Sequence, residues 1–209
     1  MSKIPVFDIG DTLMPSFRLQ NELIKDEMKE QGAEEIPEFD VNNFRIYTAS
    51  EVKEYLDRHG LDHGDPLRII EKYKDRERRY MEEAGIFETL RKISKELGPI
   101  GFISDNTVEG KKWMAAQLQA HDVPYKGLVV SEEIGVEKPD PKIFKKFLNI
   151  RGRPGKDFAY FGNNLDRDPE CQKVGMDFVL VSQYRVFGEE KKYDPVEEIT
   201  FNSVKEAVE

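Results

Sequence analysis

The chain reads as an α/β protein: a parallel sheet with helices on both faces, joined to a separate helical domain. Three observations predict this. Short apolar runs end in polar, turn-forming residues, helical stretches separate those runs, and residues 16–84 break the alternation with helices alone. A chain of 209 residues is long enough for one domain of about 150 residues and a smaller insert.

The first apolar run, Ile4–Phe7, delivers Asp8 into a turn of Gly10, Asp11 and Thr12. Residues Phe17–Gln31, Ser50–His59 and Pro66–Glu83 have helical patterning, with Ser50-Glu-Val-Lys and Asp65-Pro66 as helix starts. The linkers are Gly32–Asn43 and Gly60–Gly64. A helical block placed straight after the first strand reads as a lid over the strand ends. The alternation then resumes. Helix Phe87–Leu97, stopped by Gly98-Pro99, leads to strand Ile100–Ile103 before Ser104. Helix Glu109–His121, strand Val129-Val130 and helix Pro141–Leu148 follow, then strands Phe158–Phe161 before Gly162 and Phe178–Val181. These runs are apolar throughout, as expected of parallel strands covered on both faces by crossover helices. In such sheets the ligand crevice lies at the carboxyl ends of the strands. The predicted domains are therefore an α/β core of residues 1–15 and 85–209 and a helical domain of residues 16–84.

Composition narrows the function. Charged residues make up 35% of the chain and the formal net charge is −9. A uniformly acidic surface argues against a nucleic-acid partner or an anionic membrane. Cys171 is the only cysteine, which leaves no internal disulfide or thiolate metal site and fits a reducing cytoplasm. The opening Met-Ser-Lys-Ile-Pro-Val-Phe-Asp is too short an apolar stretch for a signal peptide, and no run approaches about 18 apolar residues. A soluble, cytoplasmic protein is expected. Internal repeats and low-complexity tracts are absent.

Four motifs carry chemistry. Asp8 at a strand end can act as a nucleophile, Gly10 lets a backbone carbonyl approach a ligand, and the Thr12 hydroxyl can bond a phosphate or fix the nucleophile. Ser104-Asp105-Asn106-Thr107 offers a hydroxyl beside the first amides of a helix, a candidate anion site, although the same residues are ordinary helix caps. Lys138 stands between Glu137 and Pro139 in a segment whose two prolines, Pro139 and Pro141, fix the helix entry and pin the lysine as a rigid point charge. Gly162-Asn163-Asn164-Leu165-Asp166-Arg167-Asp168 supplies oxygen-bearing side chains that can join Asp8 on a hard cation such as Mg²⁺.

These four motifs, in this order and at these strand ends, resemble the haloacid dehalogenase-like hydrolase superfamily over nearly the whole chain. The resemblance implies a Rossmann-like core with a helical cap inserted after the first motif, and Asp8 as nucleophile. It implies Ser104 and Lys138 as phosphate or intermediate binders, with Asp105 and Asn106 beside them, and Thr12 as a catalytic neighbour. It implies Mg²⁺ held by Asp8, the Gly10 carbonyl, Asn163 and Asp168, and a small, phosphorylated substrate.

Two positions depart from the pattern. Phosphatases of this superfamily usually carry a second Asp two residues after the nucleophile, to protonate the leaving alkoxide and activate water. Here Gly10 occupies that place and the carboxylate is one step on, at Asp11. On an extended segment adjacent side chains point to opposite sides, so Asp11 is not a direct substitute. Losing a general acid or base typically costs about 10²–10⁴-fold. Asn163 replaces the first acidic residue of the last motif, which predicts weak metal affinity, strongest with substrate bound, with Asp166 as a partial replacement. Relatives that break carbon–halogen bonds also lack the second Asp and work without metal. A metal-independent 2-haloacid dehalogenase and a catalytically impaired binding or regulatory protein are therefore the alternatives to a phosphatase. Phe144 occupies the place of a dehalogenase's substrate-binding Tyr, and Arg18 and Arg45 are the candidate arginines of the cap.

Overall fold

The computed structural model describes residues 2–32, 48–58, 66–189 and 192–209. The predicted linkers from residue 33 to 43 and from 60 to 64, the Asp65 cap and Arg45 lie outside the described residues. The chain divides into two compact units, Met1–Met14 with Met81–Glu209, and Pro15–Tyr80.

The larger unit is built on a five-stranded, fully parallel sheet: β1 (Ile4–Phe7), β2 (Ile100–Ser104), β3 (Tyr125–Val130), β4 (Phe158–Gly162) and β5 (Asp177–Leu180), in spatial order β3-β2-β1-β4-β5. β1 is the central strand. Phe7 is in register with Phe102 on one side and Phe161 on the other, so Asp8 leaves the sheet between the ends of β2 and β4. Its own N–H still donates to Phe161 O at 2.8 Å, which fixes the backbone at the point of exit.

Alternation along the strands sends residues to two cores. Ile4, Val6, Ile103, Val129, Phe158 and Tyr160 pack with Ile143, Phe144 and Phe147 of the helix Pro141–Arg151. Phe7, Phe102 and Phe161 stack on the opposite face, with ring centroids 6.3 and 5.1 Å from that of Phe7. Phe147 lies so close to β2 that a Cβ at Gly101 would stand 2.4 Å from its ring. Arg151 closes the other end of the sheet. Its guanidinium donates to Pro99 O at 2.8 Å and Lys126 O at 2.6 Å and stands over the rings of Phe147 and Phe158.

Several boundaries differ from the sequence-based expectation for identifiable reasons. The helix predicted over Pro141–Leu148 runs on to Arg151, where Gly152 takes the left-handed conformation that ends it. β3 begins at Tyr125, which pairs with Ile100 of β2, and the polar Lys126-Gly127 step falls at a register irregularity before Leu128 pairs with Phe102. A short helix, Ser131–Ile134, and a 3₁₀ helix, Asp168–Val174, were not expected in that form.

The smaller unit contains α1 (Ser16–Glu30), α2 (Ala49–Arg58) and the helix α3 (Pro66–Glu83) as far as Tyr80. Leu19, Leu23, Ile24 and Met28 of α1, Val52 and Leu56 of α2, and Ile69 and Tyr73 of α3 form its core. These recur at the three- and four-residue spacing of one helix face. α2 starts one residue before the predicted Ser50. Thr48 caps it, accepting from Glu51 N while Glu51 reaches back to Thr48 N. Among the described residues no helix is long and apolar enough to cross a membrane.

Candidate active site

Three side chains singled out in the sequence meet at the carboxyl ends of β1 and β4. Lys138 Nζ lies 2.8 Å from Asp8 Oδ2 and 2.8 Å from Asp168 Oδ1. All three are buried. One ammonium thus serves two carboxylates, and the cluster carries a net negative charge. Ile9 N donates to Asp8 Oδ1 at 2.8 Å and Asn164 N to Asp168 Oδ2 at 2.9 Å, so each carboxylate is held at both oxygens. Asp168 also depends on Gly162, where a Cβ would stand 2.3 Å from its Oδ2.

Burial pushes the Asp8 carboxyl up to about 6; the Asp168 charge adds to this and Lys138 opposes it. Burial also disfavours the Lys138 ammonium, but Asp168 and Asp8 outweigh that and hold it well above the ordinary lysine range. Asp8 is therefore an ionised yet comparatively basic carboxylate at neutral pH, in contact with a permanent cation.

Two further residues, not singled out in the sequence, complete the setting of Lys138. The Tyr160 hydroxyl accepts from Lys138 Nζ at 3.0 Å and donates to Ile103 O at 3.0 Å. With Asp8 and Asp168 it takes up all three N–H bonds that an ammonium has. Burial and the nearby carboxylates push its hydroxyl well up, so it stays protonated. Arg167 donates from Nε to Lys138 O at 2.6 Å and from Nη2 to Glu137 at 2.8 Å. A tyrosine in the otherwise apolar, fully buried run Phe158–Gly162 was the available signal for the first, since a buried hydroxyl needs a partner. Arg167, in a run of acidic residues, offered none.

The Ser104–Thr107 motif is mostly bound up with the protein itself. Asp105 accepts from Lys138 N at 2.9 Å and lies 3.2 Å from Arg167. Burial raises its carboxyl, and Lys138 and Arg167 pull against that. Asn106 Oδ1 accepts from Thr107 N, Thr107 Oγ1 from Gly110 N, and Glu132 from Val108 N. The amides expected to bind an anion at this helix (Val108–Ala120) are thus largely occupied by protein oxygens. Ser104, buried at the end of β2, retains a hydroxyl with no hydrogen bond to the described residues.

Thr12 and Asn163 face each other rather than a common ligand position. The Thr12 hydroxyl donates to Asn163 Oδ1 at 3.3 Å, and Asn163 Nδ2 donates to Arg185 O at 2.7 Å. Asp11 is not on an extended segment. It has φ 53°, in the left-handed region, within a turn closed by Asp11 N to Met14 O, and its charge acts on Arg185. Asp166 is exposed. Arg18 stands 5.5 Å from the Tyr80 ring centroid and 3.8 Å from Glu22 within the smaller unit. Phe144 packs edge-on against Tyr160 at 5.3 Å.

For a cation, the side-chain oxygens that meet here are those of Asp8 and Asp168, and the Gly10 carbonyl follows two residues after Asp8 in the chain. Among the described residues that carbonyl accepts no backbone hydrogen bond, and no group of three or more His, Cys, Asp or Glu side chains is placed to hold a metal. Mg²⁺ is commonly bound by one or two carboxylates, completed by water and substrate phosphate. The donor set fits that description.

A parallel α/β sheet with a buried, lysine-paired aspartate at the end of its central strand is an arrangement that covalent-nucleophile hydrolysis can use. The chain belongs to the haloacid dehalogenase-like hydrolase family, whose profile matches residues 5–181. It is 28% identical over 191 residues to a glyceraldehyde 3-phosphate phosphatase of Methanopyrus kandleri, covering 80% of this chain and 78% of that one. Among solved structures, CbbY from Rhodobacter sphaeroides in complex with phosphate matches at 14% identity and TM-score 0.63, covering 96% of this chain and 95% of that one. The putative hydrolase YfnB from Bacillus subtilis, bound to magnesium, matches at 16% identity and TM-score 0.60, covering 95% of each. The family and the phosphatase relative favour phosphatase over dehalogenase chemistry.

Proposed function

We propose that the protein hydrolyses a small phosphorylated molecule through a phosphoryl ester on Asp8. The observation that carries the reading is the Asp8–Lys138–Asp168 cluster, with both Lys138 contacts at 2.8 Å. A carboxylate oxygen of Asp8 attacks phosphorus in line. The new Asp8–phosphorus bond forms as the bond to the leaving oxygen breaks, and that oxygen leaves with the bonding electrons. Water then attacks phosphorus, releasing inorganic phosphate and restoring the Asp8 carboxylate. Lys138 offsets the charge on Asp8 throughout, and Ser104 supplies a hydroxyl for a phosphoryl oxygen.

Asp8, Asp168 and the Gly10 carbonyl are the residues that would hold Mg²⁺, which when bound offsets the charge of the carboxylates and the phosphoryl group. Residues 16–84 serve as the cap that selects the substrate. Gly10 provides no side chain to protonate a leaving alkoxide, so acyl phosphates and other activated phosphates turn over faster than alkyl esters. The sequence relative brings a triose phosphate into the substrate panel.

The test is phosphate release from such a panel, with and without Mg²⁺, using Asp8→Asn as the blank. Hydrolysis of at least one substrate by the wild type, absent in Asp8→Asn, is expected. No hydrolysis of any phosphoester or acyl phosphate with Mg²⁺ present would leave the second reading, a ligand-binding protein. Gly10 is the observation that favours it.

A further inference from the structure

Asn163 occupies the place where a metal-binding carboxylate was expected, yet both ends of its amide are committed. We propose that Asn163 is a positioning residue that fastens the segment Ser182–Gly188 to the nucleophile loop, and that it does not bind metal. The inference goes beyond the phosphatase reading and does not depend on it.

Asn163 is buried. Its Nδ2 lies 2.7 Å from Arg185 O, a backbone carbonyl that can only accept, so the nitrogen must face it. That orientation turns Oδ1 to the Thr12 hydroxyl at 3.3 Å, and a hydroxyl can donate there. The backbone continues the join: Phe187 N donates to Asn163 O at 3.0 Å, and Leu165 N donates to Phe187 O at 2.8 Å. One residue thus ties together the loop after β1, the loop after β4 and the irregular segment after β5. The segment carries Arg185, whose guanidinium stands 4.4 Å from the Phe187 ring centroid and feels the charge of Asp11, three residues beyond the nucleophile. The Asn163 fastening places that arginine beside the nucleophile loop.

An amide is required for this. A carboxylate has the same shape but cannot donate, and its oxygen would face Arg185 O, acceptor against acceptor. A carboxylate that served the metal would therefore release the segment. This accounts for the departure from the family pattern without assuming a weakened metal ligand.

The segment contains its own probe, because trypsin cleaves after Arg185. Asn163→Asp and Thr12→Val should each accelerate cleavage after Arg185 by about tenfold, the equivalent of one lost hydrogen bond. Cleavage after Arg91 and Lys95, in the helix Ile86–Leu97, should keep its wild-type rate. Thr12→Ser, which retains the hydroxyl, should behave as wild type. Titration calorimetry with Mg²⁺ alone should find the same affinity in Asn163→Ala as in the wild type. The proposal is overturned if cleavage after Arg185 is unchanged in Thr12→Val, if the sites in Ile86–Leu97 accelerate equally, or if Asn163→Ala binds Mg²⁺ tenfold more weakly. None of these readouts requires turnover, so an inactive wild type would refute the phosphatase reading and leave this one standing.

Discussion

Replacing Asp8 with Asn should make the protein more stable, although it removes one side of a buried ion pair. Two buried carboxylates share the single ammonium of Lys138, and burial is the dominant influence on Asp8, raising its carboxyl from 3.8 to about 6. A carboxyl raised on folding holds its proton more tightly in the folded state. Stability is therefore lost as pH rises from about 4, and the loss is complete above about 6. The shift corresponds to about 3 kcal/mol at pH 8. An Asn side chain can offer its single oxygen to Lys138 only by giving up the bond from Ile9 N, now 2.8 Å long, at a cost of about 1 kcal/mol. The net gain is about 2 kcal/mol at pH 8, a midpoint increase of ~4–8 °C for a chain of this size. At pH 5 the gross effect is roughly half as large, because Asp8 is then mostly protonated in the folded protein. Urea and thermal unfolding of both proteins in a chelator, at pH 8 and pH 5, measure this directly. An Asp8→Asn variant less stable than wild type at pH 8 would show that the attraction to Lys138 outweighs burial, and would refute the reasoning.

Three further outcomes are expected. With substrate below saturation and Mg²⁺ present, phosphate release should fall in acid, because a protonated Asp8 cannot attack, with its midpoint below the value of about 6 that burial sets without metal, since a bound cation favours the carboxylate; a rate undiminished at about pH 4 would contradict this. Gly10 lies outside the left-handed region, so Gly10→Asp is tolerated by the backbone and should raise turnover of alkyl phosphates at least about tenfold; acyl phosphates should also gain, because both classes share the hydrolysis of the phosphorylated Asp8. Adding Asn163→Asp to it should bring no further gain. Tyr160→Phe removes a partner from both Lys138 and the Ile103 carbonyl and should cost about 1–3 kcal/mol of stability by urea unfolding.

Much of the fold could be read directly, because buried parallel strands are apolar throughout and their helices have clear stops. Ile4–Phe7 and Pro66–Glu83 have the predicted bounds. β3 was reduced to its last two residues because Lys126 and Gly127 mask a strand that exists through pairing with β2. In the site, Asp8, Lys138 and Asp168 were legible as residues at strand and helix ends, where the topology brings them together. Partners that reach across elements were not legible. Nothing in the local sequence says that Arg167 holds the Lys138 carbonyl, or that Asn163 spends its amide on Thr12 and Arg185. Asp11 was placed on an extended segment, but a tight turn gives it a positive φ and turns the chain back to Met14. The helix start after Thr107 was open to two readings, and the structure fills it with caps.

The central claim is that Asp8 carries the phosphoryl group during turnover. Without a carboxyl side chain at Gly10 to activate water, the phosphorylated protein should accumulate when an acyl phosphate is supplied. Acid quenching during turnover, followed by peptide mass analysis, is the most direct measurement. The expected result is one phosphoryl group on the peptide containing Asp8 in the wild type and none in Asp8→Asn. Phosphate release by Asp8→Asn at the wild-type rate, with no phosphoryl group on that peptide in either protein, would contradict the claim.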